Sequence, residues 1–110
     1  MSISAHVLDS TCGRPVNGLL VRLDYQDKDD WYQIGTARTD ADGRIRDWGN
    51  EFTRPGRYRL AFHTGVYFGS RGVNTIYPEI SVLLLITDCT RQTHIPLLLS
   101  PYGYATYHGG

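Results

Sequence analysis

From Gly18 to Gln26 the chain alternates: Leu19, Val21, Leu23 and Tyr25 fall on one side of a two-residue period, and Leu20, Arg22 and Asp24 on the other. A period of two marks extended backbone with one face buried, because successive Cβ atoms of a strand point to opposite sides. Similar short segments recur along the chain between turn residues, at roughly the 8–12-residue spacing of an all-β sandwich or barrel. Ile3 to Asp9 reads as the first strand and ends in the turn-rich stretch Asp9 to Pro15. The charged turn Asp27-Lys28-Asp29-Asp30 separates Gly18–Gln26 from a third strand, Trp31 to Arg38. Asp40-Ala41-Asp42-Gly43 makes the next turn, where glycine takes positive φ without steric cost. Arg54-Pro55-Gly56 introduces a strand from Arg57 to His63, and Gly65 to Gly72, which does not alternate, suits a short helix. Glu79 to Thr87 and Arg91 to Leu99 are the most apolar segments, and such runs predict burial on both faces.

These strands predict one domain over residues 1–110, with no internal repeat and no linker. Eleven basic side chains balance eleven acidic ones, which argues against a nucleic-acid binder. The apolar run Val82 to Ile86 is far shorter than the roughly 20 residues that span a bilayer, so no membrane partner is expected. The opening MSISAHVLDS has neither a basic region nor an apolar one, and the chain does not end in Ser-Lys-Leu; a cytoplasmic protein is expected. In that reducing setting Cys12 and Cys89 are expected to be free thiols. The stretch from Tyr102 to Gly110 holds three tyrosines and no permanent charge, and such an end predicts docking at an interface.

Histidine is the side chain best suited to acid–base work near neutral pH, and the chain has four: His6, His63, His94 and His108. His6 lies inside the first strand, and His94 opens the apolar run Ile95-Pro96-Leu97-Leu98-Leu99. A histidine in a strand needs hydrogen-bond partners, so a satisfied core residue is the ordinary reading of each. No spacing of histidines or cysteines supports a metal site, and neither Cys12 nor Ser100 has the local context of a nucleophile. Arg44 and Arg46 project to one face, and Arg54, Arg57 and Arg59 surround a turn; the plain reading of all five is solvated charge.

Four segments carry a resemblance. His6-Val7-Leu8-Asp9 followed by Gly13-Arg14-Pro15 resembles the opening of the transthyretin-like family, and His94-Ile95-Pro96-Leu97-Leu98-Leu99-Ser100-Pro101-Tyr102-Gly103-Tyr104-Ala105-Thr106-Tyr107 resembles its C-terminal signature. Thr39-Asp40-Ala41-Asp42-Gly43-Arg44 is similar to the family's turn before an arginine, and Tyr77-Pro78-Glu79-Ile80 to its approach to a central strand. The resemblance implies an all-β, transthyretin-like sandwich of two sheets, about seven to eight strands and one short helix. It further implies a homotetramer, a dimer of dimers, with sites between subunits where the tail docks.

The family's enzyme branch keeps two histidines and an arginine that its hormone-carrier branch has lost, and His6, Arg44 and His94 match them. The implied activity opens the six-membered ring of 5-hydroxyisourate to 2-oxo-4-hydroxy-4-carboxy-5-ureidoimidazoline, in urate degradation, without metal or organic cofactor. His6 and His94 would position and deprotonate water, with either as the base, and Arg44 would bind the substrate and stabilise negative charge. Tyr107 and His108 would line the groove. The family's enzymes usually end Tyr-Arg-Gly-Ser, whereas this chain reads Tyr107-His108-Gly109-Gly110. That departure leaves open a hydrolase of a related cyclic ureide, or a small-molecule binding module.

Overall fold

Alternation becomes architecture in the computed structural model, which describes residues 3–48 and 54–110. In chain order the elements are β1 (Ile3–Asp9), β2 (Arg14–Pro15), β3 (Leu20–Asp27), β4 (Asp30–Arg38), β5 (Arg44–Ile45), β6 (Gly56–Phe62), α1 (Thr64–Ser70), β7 (Ile80–Ile86), β8 (Thr93–Ser100) and β9 (Gly103–Thr106). One sheet has the order β2-β1-β8-β9, with β5 also paired to β1; the other has the order β4-β3-β6-β7. The alternating positions interlock between the two sheets. Ile3, Ala5 and Val7 of β1 and Ile95, Leu97 and Leu99 of β8 meet Val21 and Leu23 of β3 and Tyr58, Leu60 and Phe62 of β6, all buried. Full burial of one such large apolar side chain stabilises by about 1.5–3 kcal/mol. The predicted helix forms as α1 and sends Phe68 into this core. Trp48 is buried too, and its indole N–H donates to the carbonyl of Ile3 at 2.7 Å.

Three expectations are corrected by this arrangement. First, the two most apolar strands are not buried on both faces, because a two-layer sandwich has one inside. The outward residues of β7, Leu83 and Leu85, are 59% and 70% exposed, and Leu98 of β8 is also exposed. Second, Tyr77–Ile80 leads into an edge strand rather than a central one, since β7 pairs with β6 and ends its sheet. Third, Arg59 is not a solvated charge. It donates two hydrogen bonds to Asp24 Oδ2 from Nε and Nη2, at 3.0 and 2.9 Å, and its guanidinium lies over the Trp31 ring. Arg22 Nε holds Asp24 from the other side at 2.9 Å. The structure also adds β2 and β9, and gives Arg44–Ile45 a ladder on β1. Cys12 and Cys89 are unpaired.

Two pairings bring polar side chains of distant segments together. The β1 and β8 strands run parallel, with Ser4 opposite His94 and His6 opposite Pro96. Across the other edge of β1, His6 stands opposite Arg44 of β5. The Asp40–Gly43 turn delivers Arg44 there: Asp40 Oδ1 accepts the backbone N–H groups of Asp42 and Arg44, both at 2.9 Å. Gly43 has φ 77°, and a Cβ there would fall on the carbonyl oxygen of Val7. A glycine is therefore required for the turn to lie against β1.

Candidate active site

With Ile3, Ala5 and Val7 committed to the core, alternation turns Ser4 and His6 to the outer face of the sheet. The same rule turns His94 outward from β8, whose Ile95 and Leu97 point in, and Arg44 outward from β5, whose Ile45 points in. Registers that look unremarkable strand by strand therefore gather Ser4, His6, Arg44 and His94 on one side of the sandwich. A groove of about 390 Å³ opens there, lined by Ser4, Arg44, Arg46, Gln92, His94 and Gly109 among others. His6 stands beside it, its ring centroid 6.5 Å from that of His94.

Each histidine is held by one ring nitrogen. His6 Nε2 lies 3.0 Å from the carbonyl oxygen of Asp42. His94 Nδ1 lies 2.7 Å from Ser4 Oγ, and the Gln92 side-chain amide donates to the same Ser4 Oγ at 3.2 Å. Burial, the Arg44 guanidinium and the His6 ring together push the His94 pKa below its ordinary value of 6.5. His94 is therefore a neutral imidazole at physiological pH. Arg46 is occupied by Asp40 at 3.2 Å, whereas among the described residues nothing hydrogen-bonds or pairs with the Arg44 side chain. A guanidinium without a partner among the described residues, beside a neutral imidazole and over an open groove, can take a planar ligand that presents carbonyl oxygens.

The tail closes one end. Gly109 N–H donates to the carbonyl of His94 at 2.8 Å, which lays the chain against the imidazole. A Cβ on Gly109 would come within 2.9 Å of His94 Cδ2 and 3.2 Å of the Pro96 ring. Tyr107 and His108 are not among the residues that line this groove within the chain. Tyr107 is exposed, and His108 faces an adjoining depression with Leu83, Leu85 and Ile95. His63 is remote from the site; it lines a separate pocket with Arg38 and Tyr67, and its Nε2 is 3.8 Å from Glu79. Among the described residues no three His, Cys, Asp or Glu side chains converge as a metal site.

Sequence reading picks out His6, Arg44 and His94 but passes over Ser4 and Gln92. A signal for both is present. Ser4 and Gln92 each precede a histidine by two residues, and in a strand that spacing puts both members of the pair on one face.

Comparison with known proteins adds to this geometry. A family model described as the HIUase/Transthyretin family matches residues 3–109. A 5-hydroxyisourate hydrolase of Salmonella dublin is 44% identical over 108 residues, covering 97% of this chain and 79% of that protein. The solved structure of Klebsiella pneumoniae 5-hydroxyisourate hydrolase superposes with a TM-score of 0.88 at 28% identity, over 99% of this chain and 98% of that one. Sea bream transthyretin, solved in complex with thyroxine, also superposes with a TM-score of 0.88, at 30% identity over 96% and 92% of the two chains. The fold is thus shared by a hydrolase and a thyroxine-binding protein, and backbone similarity does not separate them.

Proposed function

We propose that this chain, which belongs to the HIUase/transthyretin family, hydrolyses 5-hydroxyisourate, opening its six-membered ring in urate degradation. The observation that carries this reading is the grouping over one groove of His6, His94 and Arg44, whose side chain has no partner among the described residues. A module that only binds flat molecules has no use for two imidazoles, His94 being neutral, beside a guanidinium that has no partner among the described residues. Ring opening needs all three: a proton acceptor for water, a stabiliser for the oxyanion, and a proton for the departing nitrogen. Arg44 binds the substrate's carbonyl oxygens and meets the charge that develops on them. His6 and His94 hold and deprotonate the attacking water. Neither step calls for a metal or an organic cofactor.

The working unit is a homotetramer, a dimer of dimers, with the outer-sheet grooves facing one another and Tyr107 and His108 completing the substrate site at the interface. The apolar edges support this. Leu83 and Leu85 on β7, Tyr104 on β9 and the adjoining Tyr107 leave large apolar side chains at the open ends of both sheets, where another copy can cover them. Sedimentation of the native chain is expected to give four times the mass of one chain. Leu85→Arg is expected to lower that mass.

The test of the activity tracks the ultraviolet decay of 5-hydroxyisourate freshly generated from urate by a urate oxidase. Catalysed decay is expected with the native chain. Tight binding without faster decay would instead favour the binding module. The groove predicts a further result. Gly109→Ala pushes a methyl group into His94 and Pro96 and is expected to lower kcat/KM by about 10- to 100-fold. Its melting temperature should stay close to native, because residue 109 is exposed.

A further inference from the structure

We propose that Ser4, held in place by Gln92, fixes His94 as the tautomer protonated on Nε2, so that His94 donates a hydrogen bond to the substrate carbonyl while His6, through Nδ1, is the base that takes the proton of water. This deepens the hydrolase reading above and rests on it.

The assignment comes from counting protons. A serine hydroxyl has one proton to donate and two lone pairs with which to accept. Gln92 donates an amide N–H to Ser4 Oγ at 3.2 Å and occupies one lone pair. Ser4 is 3% exposed, and among the described residues its only acceptor is His94 Nδ1, at 2.7 Å. If that nitrogen carried the ring proton, the Ser4 proton would be buried without an acceptor, an arrangement native structures avoid. Ser4 O–H therefore donates to Nδ1, and the proton of neutral His94 sits on Nε2.

His6 is fixed the opposite way round. Its Nε2 faces the Asp42 carbonyl oxygen, which can only accept, so in the neutral ring Nε2 carries the proton and Nδ1 keeps its lone pair. Two residues of one type are thus differentiated by their partners, one into a donor and one into an acceptor. The parallel register makes this possible, since it sets Ser4 opposite His94 while His6 stands opposite the turn-bound Arg44.

The proton inventory of the reaction then closes. Water adds through oxygen to the ring carbonyl carbon and gives one proton to His6 Nδ1. The carbonyl oxygen takes the charge and accepts from His94 Nε2–H and from Arg44. When the carbon–nitrogen bond breaks, the proton on His6 passes to the leaving nitrogen, and the new carboxylic acid releases its own proton to solvent. Ser4 touches no reacting atom; it is a positioning residue.

The experiment is long-range ¹H–¹⁵N correlation NMR of the labelled native protein, with the His94 signals assigned through His94→Gln, alongside steady-state kinetics on 5-hydroxyisourate. A protonated Nε2 and bare Nδ1 on His94 are expected, with both tautomers appearing in Ser4→Ala. Ser4→Ala is expected to lower kcat by about 10- to 100-fold with KM changed by less than about threefold, and Ser4→Thr, which keeps the hydroxyl, to recover most of it. A proton on His94 Nδ1 in the native protein, or native kcat in Ser4→Ala, overturns the assignment. If the native chain does not accelerate decay, the hydrolase reading falls and the catalytic roles with it. A reversed tautomer with native turnover intact overturns the roles alone.

Discussion

His94→Ala is expected to lower kcat on 5-hydroxyisourate by about 10²–10³-fold while the fold persists. The magnitude is that of removing one positioned proton-handling or oxyanion-stabilising group from an active site. Persistence comes from burial, since His94 projects from the outer face of β8, and the core beneath is formed by Ile95, Leu97 and Leu99. The variant leaves the buried Ser4 hydroxyl without its acceptor, a cost of about 1–3 kcal/mol, while Gln92 still donates to it.

A pH profile of the native chain tests the same residue without mutation. Burial, Arg44 and His6 all disfavour the imidazolium, so the folded-state pKa of His94 lies below 6.5. The His6 and His94 rings lie 6.5 Å apart and titrate as a pair, so the chemical step should fall as pH drops through the pair's apparent pKa. Arg44→Ala removes one cause of the depression and should move that acid limb to higher pH. Stability has the same sign. Between the two pKa values the unfolded chain binds the proton and the folded chain does not, so stability is full above 6.5 and drops as pH falls toward the folded-state value. A chemical step that keeps its full rate well below that window would remove a neutral histidine base from the mechanism.

How far the sequence carries this picture depends on the range of each interaction. The strands are legible where alternation runs long enough to count, as in Gly18–Gln26, which contains most of β3. The two-residue pieces β2 and β5 are too short for any period, and they exist because β1 offers them a ladder. The chain's most apolar strands mislead in a consistent direction. Leu83 and Leu85 read as core, yet they cover the outside of an edge strand. Local hydropathy reports that a face will be covered, not whether the cover is the same chain. At the site, His6, Arg44 and His94 stand out because matched segments single them out; composition alone gives no reason to prefer them over His63. What no local rule supplies is the parallel register of β1 on β8, which spans some 90 residues of sequence and is what sets Ser4 against His94. Asp24 and Arg59 are a second case, 35 residues apart, the one placed opposite the apolar side of an alternating strand and the other read as solvated charge at a turn.

That pair supports the largest expected effect on stability. The Asp24 side chain is 3% exposed and is held on both sides, by Arg22 through Oδ1 at 2.9 Å and by Arg59 through Oδ2 at 2.9 Å. Losing one arginine leaves the other in place, so Arg22→Leu alone should cost about 1–2 kcal/mol. Losing both strands a carboxylate under a shell of side chains. The Arg22→Leu/Arg59→Leu double variant is expected to be destabilised by about 3–5 kcal/mol, a fall of roughly 15–25 °C in melting temperature for a domain of this size. The measurement is thermal or urea unfolding at pH 7, with Trp31 fluorescence as a local reporter because the Arg59 guanidinium sits 4.3 Å from its ring centroid. Adding Asp24→Leu to the double variant should recover most of the loss, since well-packed apolar side chains can replace a buried ionic cluster at little or no cost. A double variant within about 1 kcal/mol of native would mean that water reaches Asp24 once the arginines are gone. The cluster lies on the outer face of the sheet opposite the one that carries His6 and His94. At 25 °C the folded fraction of the double variant should therefore turn over 5-hydroxyisourate at the native rate, the converse of His94→Ala, which keeps the fold and loses the chemistry.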